Sequence, residues 1–134
     1  MFFKKKEIKS DNFLTKVCAL LIHAAKIDEN YTDKEEEIIK KTLNELGVED
    51  ENISNTIKEA KIIEESANQI LDFTREVKSL PEQDKIKIVE SLWSIIYSNE
   101  DADIYETNLM RRLAGLLYID NKTMGDIKEK IKQN

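Results

Sequence analysis

The sequence has few of the residues that build tight turns or soft metal sites. Its 134 residues include three glycines, one proline, one cysteine and one histidine. Because average proteins contain about 7% glycine and 5% proline, this scarcity argues against sandwiches, barrels and glycine-looped nucleotide folds. A single cysteine cannot form an internal disulfide or a cysteine-rich zinc site. A single histidine excludes a histidine–histidine metal pair and a multi-histidine active site.

The charge balance is acidic, with 21 Lys and Arg against 27 Asp and Glu and a net charge of −6. This balance argues against nucleic-acid binding, which needs clustered Lys and Arg. Residues 1–10 do carry four lysines behind two phenylalanines, but Lys16 and His23 interrupt the apolar run that follows, so we reject a signal peptide. No run approaches the roughly 20 apolar residues that cross a bilayer. We therefore expect a cytoplasmic protein, with membrane association limited to a peripheral contact of this basic segment.

Helical periodicity extends over nearly the whole chain and predicts an all-α fold. At about 100–200 residues per domain the chain is one domain. We assign residues 1–10 to a basic N-terminal tail and residues 11–134 to a single-domain bundle of six to seven helices. Gly47 stands where a helix-terminating glycine is expected. The predicted helices cover residues 11 or 12 to 27, 33–46, 50–60, 64–78, 82–98, 104–117 and 121–132.

The chain contains an internal repeat of two helical hairpins. Residues 21–48 align with residues 92–119, and each copy consists of a helix, a short acidic loop and a second helix. Leu46-Gly47-Val48 closes the first copy, and Leu117-Tyr118-Ile119 closes the second. Because each hairpin can bury the apolar face of the other, the repeat predicts a compact helical bundle.

The acidic loops of the two copies carry the candidate functional residues. Oxygen-bearing side chains alternate in both loops, a pattern that suits hard divalent cations such as calcium. The spacing differs from an EF-hand, because the glycine and glutamate that such a loop needs at its sixth and twelfth positions are absent. The candidate metal ligands are Asp28, Glu35, Asp101, Asp103 and Glu106.

Other interpretations of these and neighbouring residues are purely structural. Thr32-x-x-Glu35 is a capping box, so Glu35, like Glu106 in the second copy, is also explained as a helix cap. We interpret His23 as a partly buried structural histidine and Cys18 as a core residue rather than a nucleophile. Trp93 and Tyr97, at helical spacing, are interpreted as packing residues.

Four segments of the sequence resemble the tellurite-resistance protein B-like (TerB-like) domain family, which is also related to the N-terminal domain of a DnaJ-like co-chaperone. They are the acidic turns at residues 25–35 and 97–106, Leu80-Pro81-Glu82 followed by residues 88–93, and Tyr105-Glu106 followed by residues 109–114. The sequence departs from the family where Glu29 and Glu100 replace the glycine of the acidic turns. The resemblance implies an all-helical bundle with a stress-linked function that depends on protein partners and on metal sensing.

Our first functional hypothesis is a non-enzymatic binding or scaffold module that holds a divalent cation and docks a protein partner. The sequence shows neither a convergent nucleophile and base nor a cofactor motif. One alternative is a carboxylate metal-dependent enzyme, although Leu20 stands where a Glu-x-x-His motif ending at His23 would need a glutamate. The other alternative is a purely structural oligomerisation domain. The oligomeric state does not follow from the sequence.

Overall fold

The computed structural model describes the backbone of residues 2–26, 32–67, 71–75, 77–98 and 104–133, excluding the side chains of residues 2–12, 71–72 and 104–107. Within these ranges the chain is helical and contains no strand, which confirms the predicted all-α fold. The helices are α1 (Phe2–Ala25), α2 (Asp33–Glu45), α3 (Asp50–Ser66), α4 (Leu71–Thr74), α5 (Glu82–Tyr97), α6 (Ile104–Leu116) and α7 (Asn121–Gln133), with a 3₁₀ turn at Val77–Ser79.

Helices α1 and α5, which open the two repeats, occupy the centre of the bundle. They pack against each other, α1 also contacts α2, α3 and α4, and α5 also contacts α2 and α7. Burying one large apolar side chain stabilises the fold by about 1.5–3 kcal/mol. The largest buried side chains are Phe73, Leu20, Leu21, Ile22, Ile39, Leu43, Ile88, Leu92, Ile95, Ile96, Met110 and Leu113.

The second helices of the two repeats, α2 and α6, end in the same type of turn. After α2, Val48 N–H donates to Leu43 C=O at 2.9 Å, and Gly47 N–H donates to Asn44 C=O at 3.1 Å. The same two bonds follow α6. Ile119 N–H donates to Ala114 C=O at 2.9 Å, and Tyr118 N–H donates to Gly115 C=O at 3.3 Å. This is the Schellman motif, which satisfies the last carbonyls of a helix. The internal repeat is thus present in the backbone itself.

The residue at the centre of each turn has a left-handed backbone conformation. Gly47 has a φ of +110°, and Tyr118 has a φ of +58°. Glycine adopts such angles without a steric penalty, whereas a side chain makes them unfavourable. The sequence correctly predicted Gly47 as a helix terminator, and the structure adds a strained tyrosine at the matching position of the second copy.

Four predicted helices, α2, α5, α6 and α7, begin and end within one residue of their predicted boundaries. The single helix predicted over residues 64–78 is wrong. Helix α3 continues through Ser66 instead, and Ala67 is extended, with φ −84° and ψ 141°. The Ala67 N–H donates to Glu64 C=O at 3.4 Å rather than to Ile63 C=O, as it would in a continuing helix. The Ser66 hydroxyl, which donates to the carbonyls of Ile62 and Ile63, satisfies the Ile63 acceptor instead.

Helix α1 begins at Phe2 rather than near residue 11, so it includes the segment that we interpret as a basic tail. The separation of residues 1–10 from the domain at 11–134 stays a prediction. Although α1 has 24 residues, neither it nor another helix in the described ranges is long and apolar enough to span a membrane.

Candidate functional site

The first acidic loop connects α1 to α2, and the structure describes its C-terminal end. Glu35 is only 1% exposed and is the third residue of α2. Its Oε1 accepts hydrogen bonds from Thr32 N at 2.7 Å and from Thr32 Oγ1 at 3.0 Å, while Glu35 N donates to Thr32 Oγ1 at 3.2 Å. These bonds form a complete capping box. The carboxylate is therefore both buried and held in one orientation at the edge of the loop.

The second acidic loop connects α5 to α6. Glu106 is the third residue of α6, as Glu35 is the third residue of α2, so the two glutamates have equivalent backbone positions. Asp28, Asp101 and Asp103 lie outside the described residues, and so does the side chain of Glu106. Among the side chains that are described, no group of three or more His, Cys, Asp and Glu residues could hold a metal ion. The metal site on these five residues stays a prediction.

A charged cluster that the sequence did not reveal lies where α1 ends, just before the first acidic loop. Glu64 on α3 has a side chain that is 10% exposed, and its Oε1 accepts a 2.7 Å hydrogen bond from Lys26 Nζ. Its Oε2 lies 3.2 Å from His23 Nδ1. Because Glu64 is 41 residues from His23 and 38 from Lys26, no local spacing could have indicated this contact. The cluster attaches the end of α1 to α3.

The same contacts shift the pKa values of Glu64 and Lys26. Burial by itself raises the pKa of Glu64, but the hydrogen bonds from Lys26 and His23 outweigh it and lower the pKa below its ordinary value. The hydrogen bond to Glu64 raises the pKa of Lys26 above its ordinary value, against a smaller effect of burial. The cluster therefore favours the ionised forms of both groups.

We expect Glu64→Gln to lower the free energy of unfolding at pH 7 by about 0.5–1 kcal/mol, because Lys26 is largely solvated and screening limits the gain. A carboxyl with a lowered folded-state pKa stabilises the fold above its unfolded-state pKa, near 4.5. This stabilisation is lost as the pH falls through the lowered value. Urea unfolding at pH 7 and at pH 3 should therefore show a difference in stability between the two proteins that is smaller at pH 3 than at pH 7.

The control for this experiment is Glu65→Gln, at the exposed neighbouring position. We expect the free energy of unfolding of this variant to lie within about 0.5 kcal/mol of that of the original protein at both pH values. An equal loss of stability in the two variants, or a Glu64→Gln difference that is as large at pH 3 as at pH 7, would contradict the role of the cluster.

The structure supports the packing interpretation of His23 and Cys18. His23 has a side chain that is 36% exposed, and its ring centroid lies 6.4 Å from that of Phe73. Cys18 is completely buried, and burial raises the pKa of its thiol to about 12. A thiol with this pKa is a poor nucleophile at neutral pH. The burial of Cys18 thus agrees with its interpretation as a core residue, and His23 is partly buried beside Glu64 and Phe73.

Trp93 packs at the interface of α5 and α7, as the sequence predicted for a core aromatic residue. It is 4% exposed and stacks on Tyr97 with ring centroids 5.8 Å apart and an interplanar angle of 22°. Lys128 Nζ on α7 lies 5.3 Å from the centroid of the indole. Within the described part of the chain, the buried indole Nε1 has no hydrogen-bond partner. The position follows from helical spacing, whereas the contact with Lys128 requires the tertiary fold.

Comparison with protein families gives one match that covers most of the chain. The family model described as tellurite resistance protein TerB matches residues 14–129. Comparison with curated proteins and with solved structures gives no match. The resemblance to the TerB-like family is confirmed, while the relation to the co-chaperone domain stays a prediction.

Proposed function

Because the chain belongs to the tellurite resistance protein TerB family, we propose that it is a non-enzymatic binding module that docks a protein partner in a stress-related system. In this proposal, docking depends on a divalent cation held by the two acidic loops. The observation that carries the proposal is the buried, oriented carboxylate of Glu35 at the edge of the first loop. The proposed ligands are Asp28, Glu35, Asp101, Asp103 and Glu106.

The environment of Glu35 supports this assignment in two ways. Carboxylate oxygens are the ligands that hard cations such as calcium and magnesium prefer. The hydrogen bonds from Thr32 fix the orientation of the carboxylate, and such outer contacts commonly position metal ligands. A ligand that is already ordered loses little conformational entropy when it binds. The capping box and a cation site are thus compatible functions of the same side chain.

The repeat explains how cation binding would affect the whole domain. Asp28 and Glu35 belong to the first hairpin, and the other three proposed ligands belong to the second. A bound cation supplies positive charge that offsets repulsion between these carboxylates. Ligands from both loops would then hold the two hairpins together, and this would fix the surface that a protein partner contacts.

The non-enzymatic part of the proposal follows from the side chains that could act as nucleophile and base. Cys18 is buried with a raised pKa, and His23 lies against Glu64 and Phe73 rather than against a nucleophile. A nucleophilic mechanism needs a base within hydrogen-bond distance of an activated nucleophile. The proposal therefore assigns binding, and no reaction, to this chain.

We expect one divalent cation to raise the melting temperature of chelator-treated protein. The experiment compares the protein alone with the protein in calcium, magnesium, manganese or zinc. A cation at about 100 times its Kd adds about 2.7 kcal/mol to the free energy of unfolding, which corresponds to several degrees. Asp28→Asn should abolish the shift, whereas Glu51→Gln, at an exposed position in the first turn of α3, should preserve it. The absence of a shift with all four ions would refute the cation site.

Two variants separate the cap from the cation ligand at Glu35. Glu35→Gln keeps a capping-box residue but removes the charge. Thr32→Ala removes the cap at a cost of about 1 kcal/mol and keeps the carboxylate. We expect the cation-induced shift to disappear in Glu35→Gln and to persist in Thr32→Ala from a lower starting temperature. A cation-induced shift that persists in Glu35→Gln would show that Glu35 is only a cap.

A further inference from the structure

Tyr118 is an exposed aromatic residue that lies beside two lysine ammonium groups. The residue is 71% exposed and belongs to the turn after α6. Lys78 Nζ, in the 3₁₀ turn, lies 5.5 Å from the centroid of its ring, and Lys85 Nζ, on α5, lies 6.0 Å from it. Both distances are within the range of cation–π attraction. Three segments that are separate in sequence thus bring one aromatic ring and two positive charges together at the surface.

Packing does not explain a tyrosine at this position. Its φ of +58° is sterically unfavourable for a residue other than glycine, and the equivalent residue of the first hairpin is Gly47. The ring recovers little of this cost by burial, because most of it is exposed. Strained residues of this kind cluster at ligand sites. We take the ring to serve a contact outside the core.

Two lysines lie beside Tyr118 in a chain whose net charge is −6. Neither Lys78 nor Lys85 forms an ion pair with a carboxylate of the described residues. Lys85 is only 6% exposed, so packing fixes its aliphatic stem. Asp120, two residues after Tyr118, accepts a 2.7 Å hydrogen bond from Thr123 N at the start of α7. Asp120, the acidic residue nearest to Tyr118 in sequence, therefore caps α7.

We propose that Lys78, Lys85 and Tyr118 form a binding site for a phosphate monoester. Two ammonium groups match the charge of a phosphate dianion, and the phenol hydroxyl adds a further donor. The exposed ring offers a stacking surface to a planar group attached to the phosphate, such as a nucleobase. Tyr118 follows the C-terminal end of the 13-residue helix α6, about 20 Å from the N-terminal end of that helix, which the second acidic loop precedes in sequence. The proposed phosphate site thus shares no residue with the proposed cation site.

The test is an NMR titration of the full chain at constant ionic strength that follows the Tyr118 ring resonances. The probes are inorganic phosphate, ribose 5-phosphate and adenosine 5′-monophosphate. We expect saturable shifts with the phosphate probes, and tighter binding of the nucleotide if the ring stacks on a base. Equal affinity for all three would assign the site to phosphate alone.

The lysine variants test the two ammonium groups. Lys78→Gln and Lys85→Met should each weaken binding by about tenfold or more, the effect of losing one charge-assisted hydrogen bond. Methionine at position 85 keeps an apolar stem in place of the buried lysine stem.

Two controls make the outcome decisive. Lys58→Gln, at an exposed position on α3, should bind with unchanged affinity. Tyr118→Asn removes the ring but tolerates the left-handed backbone, so it should remain folded while losing any preference for the nucleotide. An absence of saturable shifts with every probe, or equal weakening by Lys58→Gln, would overturn the site. A Tyr118→Asn variant that keeps the full preference for the nucleotide would show that the ring does not contact the ligand, and would overturn its place in the site.

Discussion

Phe73→Ala should lower the free energy of unfolding by about 3–5 kcal/mol, the usual effect of removing a buried phenylalanine side chain. Phe73 is 2% exposed and belongs to the four-residue helix α4, which packs against α1. Most domains have a total stability of about 5–15 kcal/mol, so this one change would remove a large part of it. Urea-induced unfolding followed by circular dichroism measures the effect.

The matched control for Phe73→Ala is Ile62→Ala, because Ile62 is a large apolar residue that is 62% exposed. We expect its stability to change by no more than about 0.5 kcal/mol. A loss below about 1 kcal/mol in Phe73→Ala would contradict the packing of α4 against α1. A large loss in Ile62→Ala would show instead that the exposed face of α3 is buried in solution by another surface.

The Cys18 thiol should react with iodoacetamide at least about a thousandfold more slowly in the native protein than in the unfolded chain. Its pKa rises from 9.0 to about 12 because the side chain is buried. Since only the thiolate reacts, three pKa units reduce the reactive fraction about a thousandfold, and burial slows access further. Mass spectrometry of alkylated protein at pH 8, with and without urea, measures the two rates.

A Ser54→Cys change in a Cys18→Ala background provides the control for alkylation. Residue 54 is exposed on α3, so the new thiol should react at nearly the same rate in the native and the unfolded protein. Rapid native alkylation of Cys18 would place this thiol at the surface and would reopen the question of a catalytic cysteine.

The two proposed sites would hold ligands of opposite charge, and both include residues next to α6 in sequence. Its N-terminal end adjoins the second acidic loop, and its C-terminal end leads into the turn that carries Tyr118. A helix packed into the bundle through Leu109, Met110 and Leu113 keeps these ends at a fixed separation. If both sites bind their ligands, one rigid helix connects a cation-dependent surface with a phosphate-dependent one.

Local sequence signals determined most of the helical architecture. Helical periodicity gave the type and the boundaries of α2, α5, α6 and α7, since amphipathic spacing acts over one or two turns. The capping box at Thr32 and Glu35 and the terminating Gly47 were also predictable, because each depends on residues within four positions of one another. The repeat and the family followed from the same short-range patterns.

The tertiary structure decided the features that join distant segments. The break between α3 and α4 went against the helical periodicity of residues 64–78, and the contact of His23 and Lys26 with Glu64 bridges about 40 residues. Lys78 and Lys85 likewise meet Tyr118 only through the fold. The periodicity of apolar residues in the sequence indicates which face of a helix is apolar. The partner of that face, and the charges that meet beside it, depend on how the helices cross, which no local pattern specifies.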